Sequence, residues 1–507
     1  MDFRDILSTG NKRKLKLVEL LYYKRDGLPS DQLLSELNCS LPILLEDVRI
    51  INERLGYFHI DKYKGLYRLT MKDRVSIGNL YADMLIRSQE FQIIEQLLYE
   101  ECDNITSLAE RLYLSVSNTQ RYLKKVKYTL EKAGMYLQYR PLRIEGKESV
   151  IRHFYYRYFI EKQNAFENIL PMLKDYQFNA IEQFVVEFIE ENNLYKKYIF
   201  QKRLIYTIYV SLWRIKNRHA YPPSELRKTG FVVPAKPYYD ALSKTAYELF
   251  RIRMTDEIMQ DCMWLVYADA VVFSNEHRKL ALSDNLLYQD LYAKHYELAE
   301  SFNELSGGKM SKQRLINMAS VLSNDYYLYD QAGSFISILR RSRDTFLEMT
   351  AIMYQKPIER VSNIVQDFVD KYKMYREKDF IMNYIYLLLT AEVDSLQMLV
   401  EQDQTIRLLL LSDLTPTEES FLAKHIRRIV HGNFDISYFE NVVDRKHGMY
   451  EEMFQYDGLI TTGSVEGIPD DFPVIVMDPY VTPKALVVIQ NLVNDLSLEK
   501  ELGKKIE

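Results

Sequence analysis

The chain is poor in residues that break regular structure or cross-link it: among 507 residues there are 17 Gly, 14 Pro and 3 Cys. So little Gly and Pro excludes collagen-like and low-complexity disordered sequence. Cys39, Cys102 and Cys262 are scattered, odd in number and form no C-x-x-C pair. That pattern argues against a disulfide framework or a zinc knuckle, so they are read as small core residues and no metal or cofactor is expected. Long uncharged runs are missing too. The longest, residues 380–391, has 12 residues, against the roughly 18 to 20 that a membrane-spanning helix requires. The N-terminus, MDFRDILSTGNKRKLK, carries Asp2, Arg4 and Asp5 and no apolar h-region. A secretory signal is therefore not expected, and a cytoplasmic protein with no membrane partner is.

What is present is apolar and charged in comparable measure. Hydrophobic residues make up 47% of the chain, and 66 Lys+Arg face 71 Asp+Glu for a formal charge of -5. A chain of this length divides into several domains at roughly 100 to 200 residues each. As a whole, the acidity counts against a nucleic-acid partner. Divided along the chain, it does not: residues 1–150 hold 24 basic and 21 acidic residues, which leaves 42 and 50 for the rest. Residues 115–147 hold eight basic residues against only Glu131 and Glu145.

Hydrophobic spacing of about 3.6 residues runs through the first 400 positions and predicts a mainly α, multidomain protein. Pro222, Pro223, Pro234 and Pro237 force a loop over 220–237. Beyond 401–404 the period changes. Short β-rich runs at 405–411, 434–439, 459–462 and 474–477 alternate with helical patterns at 415–430 and 483–502, which predicts a small parallel α/β domain.

Two helix-turn-helix patterns occupy the first 150 residues. In the second, over 76–150, a helix starting at the cap Thr106 leads to a break at Tyr113 and Leu114, and Ser115 caps a second helix. Val116, Tyr122, Leu123, Val126 and Leu130 are expected to face inward. Ser117, Asn118, Gln120, Arg121, Lys124 and Lys125 are expected outward, short polar groups first and cations after. That order suits a recognition helix, whose first turns reach base edges in the major groove while later turns meet phosphates. The following MYLQYRPLRIE reads as a wing bent at Pro141, with Arg140 and Arg143 toward the DNA backbone.

The first pattern, over 12–71, places helices at 12–23 and 30–37, a turn at Asn38 and Cys39, a third helix from Ser40 to Leu55, and the hairpin HIDKYKGLYRLT. Leu44, Val48, Ile51 and Leu55 are expected inside, and Pro42, Glu46, Asp47 and Arg49 outside. Two outward carboxylates would repel phosphates, so the second unit is expected to be the main reader of double-stranded promoter DNA. Lys12, Arg13, Lys14, Lys16, Lys62, Lys64 and Arg68 are the first unit's available cations.

Tandem winged helices, a long helical middle and an α/β tail, in that order, resemble the Mga/AtxA-like virulence regulators of Gram-positive bacteria over essentially the whole chain. The segments that carry the resemblance are ERLYLSVSNTQRYLKKV, PLRIEGKESVIRHFYYRYF, LWRIKNRH and RLLLLSD. It implies a transcriptional regulator, in most relatives an activator, that self-associates as a homodimer or higher oligomer. It also implies two helical regulation domains of the sugar phosphotransferase system, over 166–278 and 279–398. The tail, 404–507, would resemble an enzyme IIB and serve docking or dimerisation. Phosphocarrier proteins of that system are implied partners, with His219 and His295 the candidate phosphohistidines, since a phosphoryl group adds strong charge at a helical interface. Thr207 stands where related antiterminators carry their usual histidine. The tail reads LLLLSDLTPTEE, with Ser412 and Asp413 where an enzyme IIB has its cysteine, so phosphotransfer chemistry is not expected there. The rival readings are an RNA-binding antiterminator and a degenerate phosphotransferase-system component. The tetrapeptide KMSK within GGKMSK, at 307–312, lacks the surrounding motifs of a nucleotide site.

Overall fold

The computed structural model describes residues 3–163, 170–194, 196–226, 230–329, 337–374, 378–439, 453, 455–465 and 468–504. The chain forms two compact units. One comprises Met1–Gln289 with Asn324–Arg341, the other Asp290–Ser323 with Ser342–Glu507.

The first unit opens with a winged helix. Helix α1 (Thr9–Tyr23) is capped by Ser8, whose side chain accepts the Asn11 amide. Helix α2 (Ser30–Leu37) ends at Asn38, whose left-handed backbone (φ 45°) closes the turn, and α3 (Leu41–Arg54) follows Ser40. Strands β1 (Leu28–Pro29), β2 (Phe58–Tyr63) and β3 (Leu66–Met71) pair antiparallel in the order β1-β3-β2. Lys64 and Gly65, both with positive φ, make the tight turn that a two-residue hairpin needs.

Helices α4 (Ile77–Arg87) and α5 (Gln89–Tyr99) lead into the second winged helix: α6 (Ile105–Arg111), α7 (Val116–Lys132) and the hairpin of β4 (Met135–Tyr139) and β5 (Leu142–Gly146). The cap of α6 is Asn104, not the expected Thr106. Its side-chain oxygen accepts the amides of Thr106 and Ser107, so the helix starts earlier than expected. Further helices of this unit are α8 (Glu148–Lys162), α9 (Asp175–Glu191), α10 (Tyr198–Lys216), α11 (Lys236–Phe250), α12 (Asp256–Cys262), α13 (Trp264–Tyr267) and α14 (Asn275–Asp284). The regulation-domain boundary expected at 278/279 falls inside α14, a helix capped by the Ser274 side chain. One continuous core runs from Phe3 and Leu44 through Leu123, Phe154 and Trp213 to Leu339. Helix α8, buried nearly all round, packs against both the second wing and α10. The Glu161 carboxylate fixes the returning segment by accepting the amides of Ile338, Leu339 and Arg340.

The division between the units falls within α15 (Leu286–Leu305) and α16 (Lys312–Tyr329). Gly307 and Gly308, with φ of 90° and 72°, turn the chain between these two helices, so the GGKMSK segment is a helix connection. Helix α17 (Ser342–Lys371) is kinked at Tyr354, three residues before Pro357, whose ring has no amide to donate to the preceding turn. Helices α18 (Lys378–Thr390) and α19 (Ser395–Val400) complete the helical part of the second unit.

The tail then alternates β6 (Ile406–Leu411), α20 (Pro416–Ile429), β7 (Phe434–Tyr438), β8 (Gly458–Thr461), β9 (Val474–Val476) and α21 (Pro483–Lys504). Its four strands are parallel in the order β7-β6-β8-β9. Central β6 is apolar on both faces because both are covered. Leu408 and Leu410 pack with Leu422, Ile426, Ile489 and Val493, while Leu409 packs with Met453 and Leu459. No helix among the described residues is long and apolar enough to cross a membrane.

Candidate nucleic-acid interface

Helix α7 is built to present one face. Ser115 Oγ accepts the Asn118 amide at 3.2 Å and starts the helix, and Thr119, Leu123, Val126, Thr129 and Leu130 form its buried underside. The two threonines satisfy their own hydroxyls on the backbone, Thr119 donating to Ser115 O and Thr129 to Lys125 O. The opposite face carries Ser117, Asn118, Gln120, Arg121 and Lys124, all exposed. Among the described residues neither Arg121 nor Lys124 has a carboxylate partner; the Arg121 guanidinium lies 5.2 Å from the centre of the Tyr122 ring. A row of short polar groups followed by unpaired cations is thus held on a rigid, capped helix.

Four expectations change. Lys125 is half-buried, and its ammonium donates to Leu7 O at 3.4 Å, so it tethers α7 to the N-terminal segment. Arg143 lies 2.5 Å from Glu145, two residues along the same face of β5, and its Nε also donates to Gln138, so its charge is neutralised on the wing. Arg140, at the hairpin tip, is exposed. Val116, expected inside, is 41% exposed, and Tyr122 is only half-buried. Tyr113, which the sequence marks only as a break between α6 and α7, is 97% exposed on a left-handed backbone (φ 55°). Turn position alone carries no sign that an aromatic will be left uncovered.

The same position in the first winged helix is chemically different. Asp47 does not face outward: its side chain is 4% exposed and meets Arg13 at 2.5 Å. Arg49 lies 2.7 Å from both Glu46 and Glu53. The rest of the exposed start of α3 is apolar, with Leu41, Ile43 and Leu45. Val48, expected inside, is half-buried. Lys12 and Lys16 pair with Asp5 and Glu36, and Arg68 donates to Asp26 O. Lys12, Arg13 and Lys16 are thus paired with carboxylates, whereas Lys14, Lys62, Lys64 and Arg68 have no carboxylate partner among the described residues, so the contrast with α7 lies in the outward face of α3 itself.

The two candidate phosphohistidines sit in contrasting places. His219, just past α10, is 15% exposed, and its Nε2 lies 2.8 Å from Glu100 at the end of α5. Glu100 belongs to a buried charge network: Arg214 reaches Glu100 at 3.0 Å and Glu148 at 2.5 Å, while Arg152 reaches Glu148 at 3.0 Å and Asp261 at 2.5 Å. Burial by itself would raise the Glu148 carboxyl, but Arg214 and Arg152 more than offset it and hold the group below its usual range. The network joins the end of α5 to α8, α10 and α12. His295 is fully buried, with Nδ1 2.9 Å from Ser323 Oγ and Nε2 2.8 Å from Tyr384 OH. Burial, reinforced by Lys294, pushes its pKa down to about 3. Both ring nitrogens are engaged and out of a phosphocarrier's reach, which removes His295 as a phosphosite in this conformation. Thr207 is also buried and donates to Arg203 O. In the loop after β6, Ser412 Oγ donates to Glu419 at 2.8 Å, and Asp413 and Thr462 bond each other.

Comparison with known proteins bears on the same region. Residues 73–159 match the family model described as the Mga helix-turn-helix domain. The capsule synthesis positive regulator AcpA of Bacillus anthracis is 36% identical over 150 residues, 29% of this chain and 31% of that protein. A putative trans-acting regulator of Streptococcus pneumoniae serotype 4 is 19% identical over 468 residues, 90% of this chain and 92% of that protein. The anthrax toxin expression trans-acting positive regulator of Bacillus anthracis is 26% identical over 107 residues, 21% of this chain and 22% of that protein. The match thus spans under a third of AcpA but nearly the whole pneumococcal relative. The matched domain holds α7 and its wing, so the similarity to the Mga helix-turn-helix domain and to AcpA falls on part of the chain, while the more distant similarity to the pneumococcal regulator extends over most of it.

Proposed function

We propose that this chain is a DNA-binding transcriptional activator that reads double-stranded promoter DNA chiefly through α7. The observation that carries this is the exposed row Ser117, Asn118, Gln120, Arg121 and Lys124, polar at the helix start and cationic beyond it, with Arg140 exposed on the adjoining wing. Polar groups at the start of such a helix discriminate base edges, and the cations bind phosphates while releasing counterions. Relatives named as positive regulators support activation as the outcome. The test is a gel shift of the full chain on its promoter DNA across a salt series. Arg121→Ala with Lys124→Ala should weaken binding and flatten the salt dependence, and unchanged affinity would remove α7 as the reading helix.

The helices over 166–278 and 279–398 are proposed as regulation domains answering the sugar phosphotransferase system. The parallel α/β domain over 404–507 is proposed as a docking or dimerisation module without phosphotransfer chemistry, and the chain as a regulator and not an enzyme. Isologous pairing through that tail would match paired half-sites on DNA. Of the two histidines, His219 is the one near the surface. A phosphoryl group there would bring about -1.5 to -2 charges against Glu100 and strain the network joining α5 to α10. Incubation with phosphoenolpyruvate and the general phosphotransferase proteins should label the wild type and not His219→Ala; equal labelling of both proteins would exclude His219.

A further inference from the structure

Two side chains with apolar surface are uncovered at the reading end of α7. Tyr113 stands 97% exposed in the turn, and Val116, the first helical residue, is 41% exposed. Both adjoin the polar row: Val116 precedes Ser117 and Asn118, and Tyr113 lies two residues before the cap Ser115. These side chains therefore stand next along the chain to a face whose cations complement a phosphate backbone. Protein contacts would be expected to favour a broader apolar patch without unpaired cations beside it. A DNA major groove offers both kinds of surface together, since phosphates line its rim and the thymine C5-methyl is the apolar group on its floor.

We infer that Val116 reads a thymine methyl group at the step where α7 enters the groove, and that Tyr113 donates its hydroxyl to a phosphate at the edge of the same step. This rests on the DNA-binding proposal and deepens it by naming the base chemistry that is recognised. The roles are separable. Val116 supplies discrimination, because its γ-methyl groups gain contact only where a C5-methyl is present. Tyr113 supplies affinity without sequence preference, because every nucleotide carries a phosphate.

The experiment enriches random duplexes on the full chain at moderate salt, then prepares the enriched duplexes with either thymine or uracil, which differ only in the C5-methyl. The wild type should bind the uracil duplexes about fourfold more weakly for each recognition helix engaged, the value of one buried methyl-sized group. Val116→Ala should bind thymine and uracil duplexes equally, Val116→Thr, which keeps a methyl, should retain part of the preference, and Tyr113→Phe should lose affinity equally on both. Equal binding of thymine and uracil duplexes by the wild type, with affinity intact, would overturn the methyl readout alone. So would a full thymine preference surviving in Val116→Ala. Failure to enrich or bind any duplex would overturn the DNA-binding proposal together with it.

Discussion

The two winged helices share a plan and differ in how they use charge. Each has a helix after a left-handed turn, α3 in the first and α7 in the second, followed by a hairpin. In the first, the third helix is fixed by a buried ion pair, Arg13 with Asp47, and its outward arginine is held between Glu46 and Glu53. In the second, the underside of α7 is held by Leu123, Val126 and self-satisfied threonines, and Arg121 and Lys124 remain available outside. A helix fixed by neutral packing leaves its charges for a partner, whereas ion pairs within the fold neutralise them. The match to the Mga helix-turn-helix domain covers the second unit and not the first.

The contrast between the units is most open to refutation in their stability, where the expected effect is greatest. Arg13→Ala leaves the Asp47 carboxylate buried without its partner and should destabilise the first winged helix by about 3 kcal/mol. Thr119→Val, under α7, should cost less than about 1 kcal/mol. Chemical denaturation of the two variants measures both; equal losses would mean that the two units are not held differently. DNA affinity is the next test. Arg121→Ala with Lys124→Ala should cost about 2 kcal/mol and lower the logarithmic salt slope by about 2. Arg49→Ala, in the first unit, should leave affinity nearly unchanged, because Glu46 and Glu53 already neutralise its exposed charge. A large Arg49 effect would make the first helix a reader as well.

Capping sharpens the contrast further. Ser115 accepts an amide through its side chain and Ser40 does not. Ser115→Ala should therefore cost about 1 kcal/mol and Ser40→Ala only a few tenths, read as shifts in denaturation midpoint. The smallest difference lies on the second wing. Arg140→Ala should weaken DNA binding by about 0.5 kcal/mol, while Arg143→Ala, whose charge Glu145 already neutralises, should fall below that. The reverse order, read by gel shift, would mean that DNA displaces Glu145.

Much of the architecture is legible in the sequence because it rests on local chemistry. The hairpin at Lys64–Gly65, the cap at Ser115, the helix at Ser30–Leu37 and the tail strands follow from turn residues, caps and period, which act over a few neighbours. Most of what the sequence hides depends on partners distant along the chain. Asp47 looks like an outer carboxylate until Arg13, 34 residues earlier, is placed against it. Lys125 looks like a phosphate contact until Leu7 O, 118 residues away, accepts from it. Thr106 is a plausible cap, yet Asn104 takes the amides because its side chain bonds two of them at once.

The amino-acid sequence by itself determined the cationic segment at 115–147, the polar-then-basic order of α7 and the order of the parts, since composition and periodicity are properties of the chain alone. Tertiary structure alone decided which of those charges stay available, which histidine lies near the surface, and that Tyr113 and Val116 are left uncovered at the end of the reading helix. The physical reason is that exposure and ion pairing are set by whatever packs against a residue, and the packing partners of Asp47, Lys125 and His295 come from elements far along the chain.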